Sequence, residues 1–548
     1  MDHTDSVPSS SPSAGSAGAE PESTELELAE PYLRAVLDTA GLAVEYVRAQ
    51  GNTLFRLDED GTEIPVVDFA GGYGSVLLGH NRPEIIERAT ELLASGTPVH
   101  AQFSRHPYAN RLAAELNRIM HRELGTAEPY FAIFANTGAE AVEAAVKHAE
   151  MDRGMRLAAL REELAEHTAS VRAAVAAGTA TVTDRAWDRA GLDTAALGGD
   201  FEALAAELEH HNAQQLELPP LFLALEGGFH GKLAASVQLT HNDAYRTPFK
   251  ALAAQARFVP RERPDALKEI YTEERRTLWD VGVVGGRVEV TEREFPAFCA
   301  FLVEPIQGEG GIHMLSAAFA AEIQRFCESI DCPVVVDEIQ SGMGRTGALL
   351  SSSQIGLRGD YYTLAKTLGG GIAKTSVMLV RQARYRKEFE IVHSSTFAKD
   401  SFSSHIALKV LELLEADGGA AYQRAVERGE ALHRMLTSVA GDFPGAVKEV
   451  RGRGLMLGME FHDQSGSASP ALREAAAGGL FGYVLAGHLL HRHSIRTFPT
   501  ASAVNTLRFE PSLLVSDAEI AQLEGGLRDI CAILRDEAGE RLTGAPAG

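Results

Sequence analysis

Six continuous apolar runs lie in the middle of the chain, between about residues 131 and 380. They read YFAIFA, LFLALE, FCAFLVE, PVVVDE, YYTLA and TSVMLV, and each is followed by a loop of polar or glycine residues. Continuous rather than alternating runs are typical of strands that are covered on both faces. Helical segments separate them, such as GAEAVEAAVKHAE and AAFAAEIQRFCESI. The pattern therefore predicts an α/β fold, with a large domain over residues 101–400 built on a mainly parallel central sheet.

The regions on either side of this domain have a different pattern. Residues 25–100 and 401–538 mix helices with short strands such as VKEVRGRGLMLGMEF and NTLRFEP. They predict a small α+β domain formed from both ends of the chain. Residues 151–220 are rich in Ala, Glu and Arg with helical periodicity, and they predict a helical insertion between two core strands.

Composition and charge narrow the function classes. Residues 1–24 are rich in Ser, Pro, Gly and acidic residues and lack an apolar segment, so we expect a tail rather than a signal peptide, with a second tail at 539–548. The net charge of −24 argues against nucleic acid and anionic membrane as partners. No apolar run is long enough to cross a bilayer, and the four cysteines form no CxxC pair. These features predict a cytoplasmic protein.

The loops after the apolar runs carry the candidate chemistry, because ligands bind at the carboxyl ends of the strands in such sheets. After YFAIFA, the small residues Thr137, Gly138 and Ala139 open a helix. A helix N-terminus offers free N–H groups to an anion or a phosphate, although Thr137 could equally be a plain N-cap. After LFLALE, Phe229 and His230 stand at a strand end. Phe229 could stack on a planar ligand or pack in the core.

Two charged residues follow apolar runs and need an explanation. Asp337 ends PVVVD, where a buried carboxylate requires a cationic partner, either a protonated pyridine nitrogen or a structural arginine. Lys366 ends an apolar pentad just before the glycines at 369–371. It could extend to solvent, or it could be a desolvated lysine that forms a Schiff base.

Two other patterns are weaker than they look. Residues 342–347 read GMGRTG, but five residues separate them from the preceding strand, so they do not fit the dinucleotide-binding fingerprint. We expect no acid or cysteine to cluster with His488, His491 and His493, and we predict no metal site there.

One ligand would unite the remaining candidates. It would need a phosphate cradle at Gly138 and Ala139, an aromatic platform at Phe229, a carboxylate at Asp337 and an amine at Lys366. Pyridoxal 5′-phosphate has the matching groups: a phosphate, a planar ring, a basic ring nitrogen and an aldehyde.

The chain also resembles the class III pyridoxal-phosphate aminotransferases, the group of ornithine, acetylornithine and 4-aminobutyrate aminotransferases. The resemblance covers most of residues 45–535. The matching segments are GGYGSVLLGHNRPEI, FANTGAEAVEAAVKHAE, GGFHG, FLVEPIQGEGG, VVVDEIQSGMGRTG, DYYTLAKTLGGG, HSSTF and VRGRGLMLGMEF. It implies the PLP-dependent transferase fold type I and a homodimer.

The resemblance implies a role for each matching residue. Lys366 would be the Schiff-base lysine and proton shuttle, Asp337 would pair with the pyridinium nitrogen, and Gln340 would lie near the phenolic oxygen. Thr396 would reach the phosphate of the neighbouring subunit. The other implied cofactor-binding residues are Thr137, Gly138, Ala139, Phe229, His230 and Ser395.

On the substrate side, Arg508 matches the arginine that clamps a substrate carboxylate, and Glu309 matches the glutamate that neutralises it. Tyr73 matches a substrate-side aromatic residue. Lys232 stands where members that use glutamate usually carry an arginine. A lysine keeps the positive charge but lacks the planar fork of arginine, and 2-oxoglutarate remains the expected acceptor. FEPSL and FAKDSFSSH also depart from the family pattern, and these changes predict an uncommon substrate.

We therefore predict transamination between an amine, including an ω-amine, and a keto acid such as 2-oxoglutarate. The same fold also supports epimerases, decarboxylases and aminomutases, which remain the alternative, and a cofactor-free binding protein is a further one. The insertion at 151–220 could be surface padding, part of the dimer interface or a docking face for a substrate attached to a carrier protein.

Overall fold

The computed structural model describes residues 28–58, 60–100, 104–190, 200–252 and 255–543. The tail predicted at 1–24 lies outside the described residues. The tail predicted at 539–548 begins within them, and its residues 540–543 form a short helix.

The strands are short and spread along the whole described chain. They are Arg48–Gln50 (β1), Thr53–Leu57 (β2), Glu63–Asp68 (β3), Tyr130–Ala135 (β4), Leu221–Leu225 (β5), Gln255–Val259 (β6), Thr277–Val284 (β7), Arg287–Glu294 (β8), Phe298–Val303 (β9), Ile306–Gln307 (β10), His313–Met314 (β11), Val334–Asp337 (β12), Tyr361–Leu364 (β13), Ser376–Arg381 (β14), Val447–Arg453 (β15), Met456–Phe461 (β16), Ile495–Arg496 (β17), Phe498–Pro499 (β18) and Thr506–Phe509 (β19).

The helices alternate with the strands over most of the chain. They are Pro31–Thr39 (α1), Gly71–Gly74 (α2), Pro83–Ala94 (α3), Pro107–Leu124 (α4), Gly138–Ala176 (α5), Asp184–Ala190 (α6), Phe201–Glu217 (α7), Ser236–Leu239 (α8), Asp243–Arg246 (α9), Pro264–Glu274 (α10), Ala317–Ser329 (α11), Phe389–Val392 (α12), Ser401–Asp442 (α13), Pro470–Ala477 (α14), Phe481–His493 (α15), Asp517–Arg535 (α16) and Glu540–Thr543 (α17). The α13 helix is interrupted by non-helical backbone at residues 416–419.

A seven-stranded sheet forms the centre of the molecule, in the order β4-β14-β13-β12-β9-β5-β6. Strands β6, β5, β9, β12 and β13 pair in parallel, whereas β14 is antiparallel to both β13 and β4. The six apolar runs all form strands of this sheet, and the predicted mainly parallel sheet is confirmed. Strand β6 is the member that the sequence analysis missed.

Both faces of the sheet are covered, which explains why its strands are continuously apolar. Phe222 and Leu302 pack with α5 residues such as Val142 on one face. Their strand neighbours Leu223 and Phe301 belong to the larger core on the other face. Alternate residues of one strand therefore enter two different cores.

Two four-stranded sheets flank this centre, and both draw on the C-terminal part of the chain. One has the order β1-β2-β3-β17 and the other β15-β16-β19-β18. Strand β17 pairs in parallel with β3, so residues near the two ends of the chain share one sheet.

The helical segment predicted at 151–220 begins inside a longer helix. The α5 helix runs without a break from Gly138 to Ala176, so the segment continues the helix that opens at the predicted phosphate loop. Together with α6 and α7 it packs on the hairpin β7–β8, which turns at Gly285-Gly286. A small core that includes Trp187, Leu204 and Val290 joins these elements.

Among the described residues, none of the helices combines the length and apolar character needed to cross a bilayer.

Candidate active site

A cavity of about 500 Å³ opens where several strands of the central sheet end. The loops after β4, β5, β9, β12 and β13 all contribute to its wall, as expected for a largely parallel sheet. The sequence-predicted residues in the wall are Thr137, Gly138, Ala139, Phe229, His230, Glu309, Asp337, Gln340 and Lys366. The structure thus brings together most of the candidates that lie far apart along the chain.

The N-terminus of α5 forms one side of the cavity. Thr137 caps the helix: its hydroxyl accepts the amide of Glu140 at 3.2 Å, and the Glu140 carboxylate accepts the amide of Thr137 at 3.1 Å. Among the described residues, no acceptor binds the amides of Gly138 and Ala139, which are left over in the first turn. A Cβ atom on Gly138 would lie 2.9 Å from the Ile339 side chain. The N-cap at Thr137 and an anion site at the next two amides are therefore compatible. Glycine at position 138 allows the helix to approach the Ile339 side chain closely.

Asp337, the last residue of β12, is buried beneath the cavity and held by three hydrogen bonds. Nδ1 of His230 lies 2.8 Å from Oδ2, while the Thr363 hydroxyl and the Ile339 amide donate to Oδ1 at 3.0 and 3.2 Å. The partner within the chain is thus a histidine and not the structural arginine considered as an alternative. Burial disfavours the imidazolium, but the hydrogen bond and charge of Asp337 outweigh it and raise the pKa of His230. Nε2 of His230 is buried without a partner among the described residues.

Glu304 is a buried acid in the cavity wall that the sequence analysis missed. It follows β9 and accepts the amides of Phe229 and Gly308 at 2.9 and 3.2 Å. Burial raises the pKa of its carboxyl to about 7. The signal was present, since FCAFLVE ends on an acid in the same way that PVVVD does.

Lys366 stands two residues after the end of β13 and lines the cavity. Its φ of 49° lies in the left-handed region, which non-glycine residues rarely adopt and which occurs preferentially at functional sites. Burial lowers the pKa of its amine, against the opposing effect of the negative charges of Glu510, Glu309 and Asp337. A lowered pKa is what the desolvated-lysine hypothesis requires.

Arg508 and Glu309 form a buried pair beside this cavity. The guanidinium donates to both carboxylate oxygens at 2.6 and 2.5 Å and to the carbonyl oxygen of Pro499 at 3.1 Å. Burial opposes ionisation of Glu309, but the charge and hydrogen bonds of Arg508 lower its pKa overall. The guanidinium also lies 4.8 Å from the centre of the Tyr73 ring. Three of the four predicted substrate residues are therefore close neighbours.

The fourth, Lys232, is placed differently. It is exposed, and its Nζ lies 3.9 Å from the centre of the Tyr245 ring. It is absent from the described wall of the cavity, whereas Phe229 lies in that wall and packs edge-on against Tyr245.

Gln340 has a partner that the sequence analysis did not identify. Its Nε2 donates to both carboxylate oxygens of Glu510, at 2.8 and 3.0 Å, and Glu510 is fully buried. Glu510 belongs to the FEPSL segment that departs from the family pattern.

Ser395 and Thr396 lie beside the predicted phosphate loop. Nδ2 of Asn136 donates to the Ser395 hydroxyl at 2.7 Å, and Asn136 is in the cavity wall. Thr396 is exposed. Neither residue is in the described wall of the cavity itself.

An acid does cluster with two of the C-terminal histidines, so the expectation that none would is wrong. Asp529 lies on α16, and its Oδ2 is 2.8 Å from Nε2 of His488 and 3.2 Å from Nε2 of His493. Arg541 donates to the other carboxylate oxygen at 3.2 Å. His491 instead approaches the carbonyl oxygen of Gly41 at 2.6 Å. The acid is distant in sequence and only the packing of α15 on α16 brings it near.

Sequence comparison relates the chain to known proteins. The family model described as "Aminotransferase class-III" matches residues 37–531. A curated relative, Aminotransferase PigE of Serratia sp. (strain ATCC 39006), is 26% identical, with coverage of 88% of this chain and 50% of the relative. The chain therefore spans about half the length of that relative.

Solved structures are similar in fold. The ornithine aminotransferase of Toxoplasma gondii ME49 has a TM-score of 0.62 at 20% identity and covers 90% of this chain and 92% of its own. An amine transaminase from an uncultivated Pseudomonas species has a TM-score of 0.64 at 19% identity, covering 94% and 99%. A transaminase from the marine bacterium Virgibacillus has a TM-score of 0.65 at 17% identity, covering 90% and 94%.

Proposed function

The chain belongs to the class III aminotransferases, and from that premise we propose that it transfers an amino group from an amine to a keto acid, with pyridoxal 5′-phosphate as cofactor. The observation that carries the proposal is one cavity lined by the N-terminus of α5, Asp337 and Lys366.

The residues present fit this cofactor. The first-turn amides of Gly138 and Ala139 can bind a phosphate, and the missing Cβ of Gly138 lets this helix N-terminus lie against the Ile339 side chain in the cavity wall. Asp337 supplies a fixed carboxylate for a protonated ring nitrogen. Lys366 supplies an amine, and Phe229 an apolar surface, in the same wall.

When bound, the cofactor would act as an electron sink that makes the carbon bearing the substrate amine acidic. The chain supplies the groups around that chemistry. Because burial lowers the pKa of Lys366, more of its amine is neutral near neutral pH than in a free lysine, and Nζ can act as nucleophile or accept a proton. Asp337 cannot move away, because His230 and Thr363 hold its two oxygens.

The state of Arg508 supports a specific class of donor. With Glu309 on both arms of the guanidinium, its charge is neutralised, and the described pocket favours an amine that brings no carboxylate to this position. We therefore propose an ω-amine donor. A dicarboxylate acceptor such as 2-oxoglutarate would displace Glu309 and take the bidentate place on Arg508. Lys232 is not assigned a part in this clamp, since it contacts Tyr245 outside the cavity wall.

A homodimer is proposed on the exposed apolar residues that surround Thr396. Ile391, Val392 and Phe397 are 88%, 64% and 63% exposed, which is unusual for large apolar side chains so close together in sequence. Covering them with a second copy would bring Thr396 into an interface, where we propose that it contacts the phosphate of the neighbouring subunit. The four described cysteines are all free, which supports a cytoplasmic location.

A test with an amino donor alone separates transamination from the other reactions of this fold. Purified holoenzyme is mixed with a single amine, and the carbonyl product and the absorbance of the bound cofactor are followed. Transamination predicts about one carbonyl product per site, with the cofactor left in its amino form until a keto acid is added. An epimerase or aminomutase would leave the cofactor spectrum unchanged at completion, and a decarboxylase would release carbon dioxide. Either result would refute the proposal.

If the physiological amine is carried by a protein, the free amine and the carrier-bound amine will differ in kcat/KM.

A further inference from the structure

Two cysteines meet at the end of α11, in a geometry fixed by the way the helix stops. The amide of Cys332 donates to the carbonyl oxygen of Cys327 at 2.9 Å, and that of Asp331 to Glu328 at 3.4 Å. Asp331 has a φ of 51°, in the left-handed region. These three features define a Schellman motif, in which the side chains at the positions of Cys327 and Cys332 pack against each other.

The hydrogen bond limits how far apart the two cysteines can be. With standard bond lengths, a 2.9 Å bond between these two groups keeps the Cα atoms within about 6.8 Å of each other. Disulfides join Cα atoms about 4.4–6.8 Å apart, so a bridge needs little backbone movement. Both side chains belong to the same core, and they are only 2% and 3% exposed.

A second cavity gives small reagents a route to this pair. Its volume is about 380 Å³, and both cysteines are in its wall, together with polar residues such as Asp360 and Arg384. It lies at the start of β12, at the end opposite Asp337. The residue next to Cys332 is Pro333, which leads directly into that strand.

We propose that Cys327 and Cys332 are a dithiol modification site, which a peroxide converts into an intramolecular disulfide. The inference does not depend on the proposed function. One thiol sulfur attacks a peroxide oxygen, the O–O bond breaks, and a sulfenic acid and one water form. The second thiol then attacks that sulfur, the S–S bond forms and a second water leaves. Each sulfur loses one electron, and the peroxide takes up both electrons and the two thiol protons.

The rate of disulfide formation depends on the protonation of the two thiols. Burial, and then the hydrogen bond with Cys332, keep the pKa of Cys327 well above its ordinary value. Because the thiolate is the nucleophile, closure of the bridge should become faster as the pH rises.

The other two described cysteines serve as matched controls. Cys299 and Cys531 are also fully buried and free. Cys299 packs in the core on the opposite face of the central sheet but still interacts electrostatically with Cys332, so Cys531 is the more remote control.

The experiment uses the full chain in its native state. Phenylarsine oxide, which bridges two adjacent thiols with loss of water, is added to one sample and hydrogen peroxide to another. Each sample is denatured, the remaining thiols are alkylated, and the peptides are mapped by mass spectrometry. We expect one arsenical per chain, held by Cys327 and Cys332, and after peroxide a peptide containing both that has lost two hydrogens. Cys299 and Cys531 should be alkylated in full.

Variants decide the assignment. Cys332→Ser should abolish arsenical binding and disulfide formation, whereas Cys531→Ser should change neither. The wild-type peptide map stands on its own if Cys332→Ser does not fold. A bridge that includes Cys299, independent oxidation of Cys327, or full alkylation of all four cysteines after both treatments would overturn the proposal.

Discussion

Replacing Glu309 by glutamine should make the enzyme bind its dicarboxylate acceptor more tightly and fold less stably. In the native protein the carboxylate makes two bonds to Arg508 at 2.6 and 2.5 Å and accepts the Ala501 amide at 2.9 Å. An incoming carboxylate must break the two bonds to Arg508. Glutamine keeps the shape and one acceptor oxygen, but it loses the charge and one of these bonds.

The magnitudes follow from the burial of the pair. A hydrogen bond to a charged group contributes about 1.5–3 kcal/mol, so the acceptor should bind about 10- to 150-fold more tightly to Glu309→Gln. Arg508, 1% exposed, is left as a buried charge without its partner. Breaking a buried pair in this way lowers the free energy of unfolding by about 3–5 kcal/mol. An amine donor without a carboxylate should bind less well, because it now meets an uncompensated cation.

The assay measures the two half-reactions separately. Single turnovers of the amino form of the enzyme with 2-oxoglutarate give the acceptor affinity, single turnovers with an amine give the donor affinity, and urea unfolding gives the stability. Glu415→Gln is the matched control, because Glu415 also holds two arginines, Arg118 and Arg122, outside the site. It should lower stability and leave both affinities unchanged. Equal or weaker acceptor binding by Glu309→Gln would refute the view that Glu309 competes with the acceptor for Arg508.

Four further results are expected. Arg508→Lys keeps the charge but loses the planar fork, so acceptor affinity should fall about 10- to 150-fold, and unchanged kinetics of both half-reactions would contradict the clamp. Burial raises the pKa of Glu304 from 4.5 to about 7, so the native state binds the extra proton and the free energy of unfolding falls as pH rises through that window. Glu304→Gln should remove up to about 1.4 kcal/mol per pH unit of this dependence in urea titrations, and an unaltered slope would argue against the raised pKa. Trp187→Ala should lower the free energy of unfolding by about 3–5 kcal/mol without changing kcat for free amines, and a loss of kcat would show a catalytic role for the α6–α7 region. Thr396→Ala should release the cofactor faster on dialysis, and a fully active monomer in sedimentation would contradict the proposed role in the partner's site.

The central sheet and the residues of the cavity could be predicted from the sequence because each depends on a short, local pattern of residues. A strand covered on both faces must be apolar throughout, and a polar residue at its carboxyl end stands out, as Asp337 and Lys366 do. The same rule would have found Glu304. The hairpin β7–β8 had a readable signal too, since Thr277–Val284 and Arg287–Glu294 flank a Gly-Gly pair.

Other features depend on contacts between distant parts of the chain. His230 meets Asp337 across 107 positions, Gln340 meets Glu510 across 170, and Asp529 reaches His488 only through the packing of two helices. No local sequence pattern predicts contacts between residues so far apart in the chain.

The continuity of α5 into the predicted insertion has a local basis. The composition changes near Met151, but the helical periodicity does not, and it is the periodicity that keeps α5 intact to Ala176. A deletion of residues 155–215 would therefore cut this helix and uncover the apolar side of the β7–β8 hairpin.

The most direct test of the account is the identity of the lysine that holds the cofactor. Holoenzyme is reduced with sodium borohydride, digested and mapped by mass spectrometry, with unreduced enzyme as the control. The account predicts a pyridoxyl group on Lys366 and no such label in a Lys366→Ala variant. A pyridoxyl group on Lys374 or Lys147 instead would contradict it.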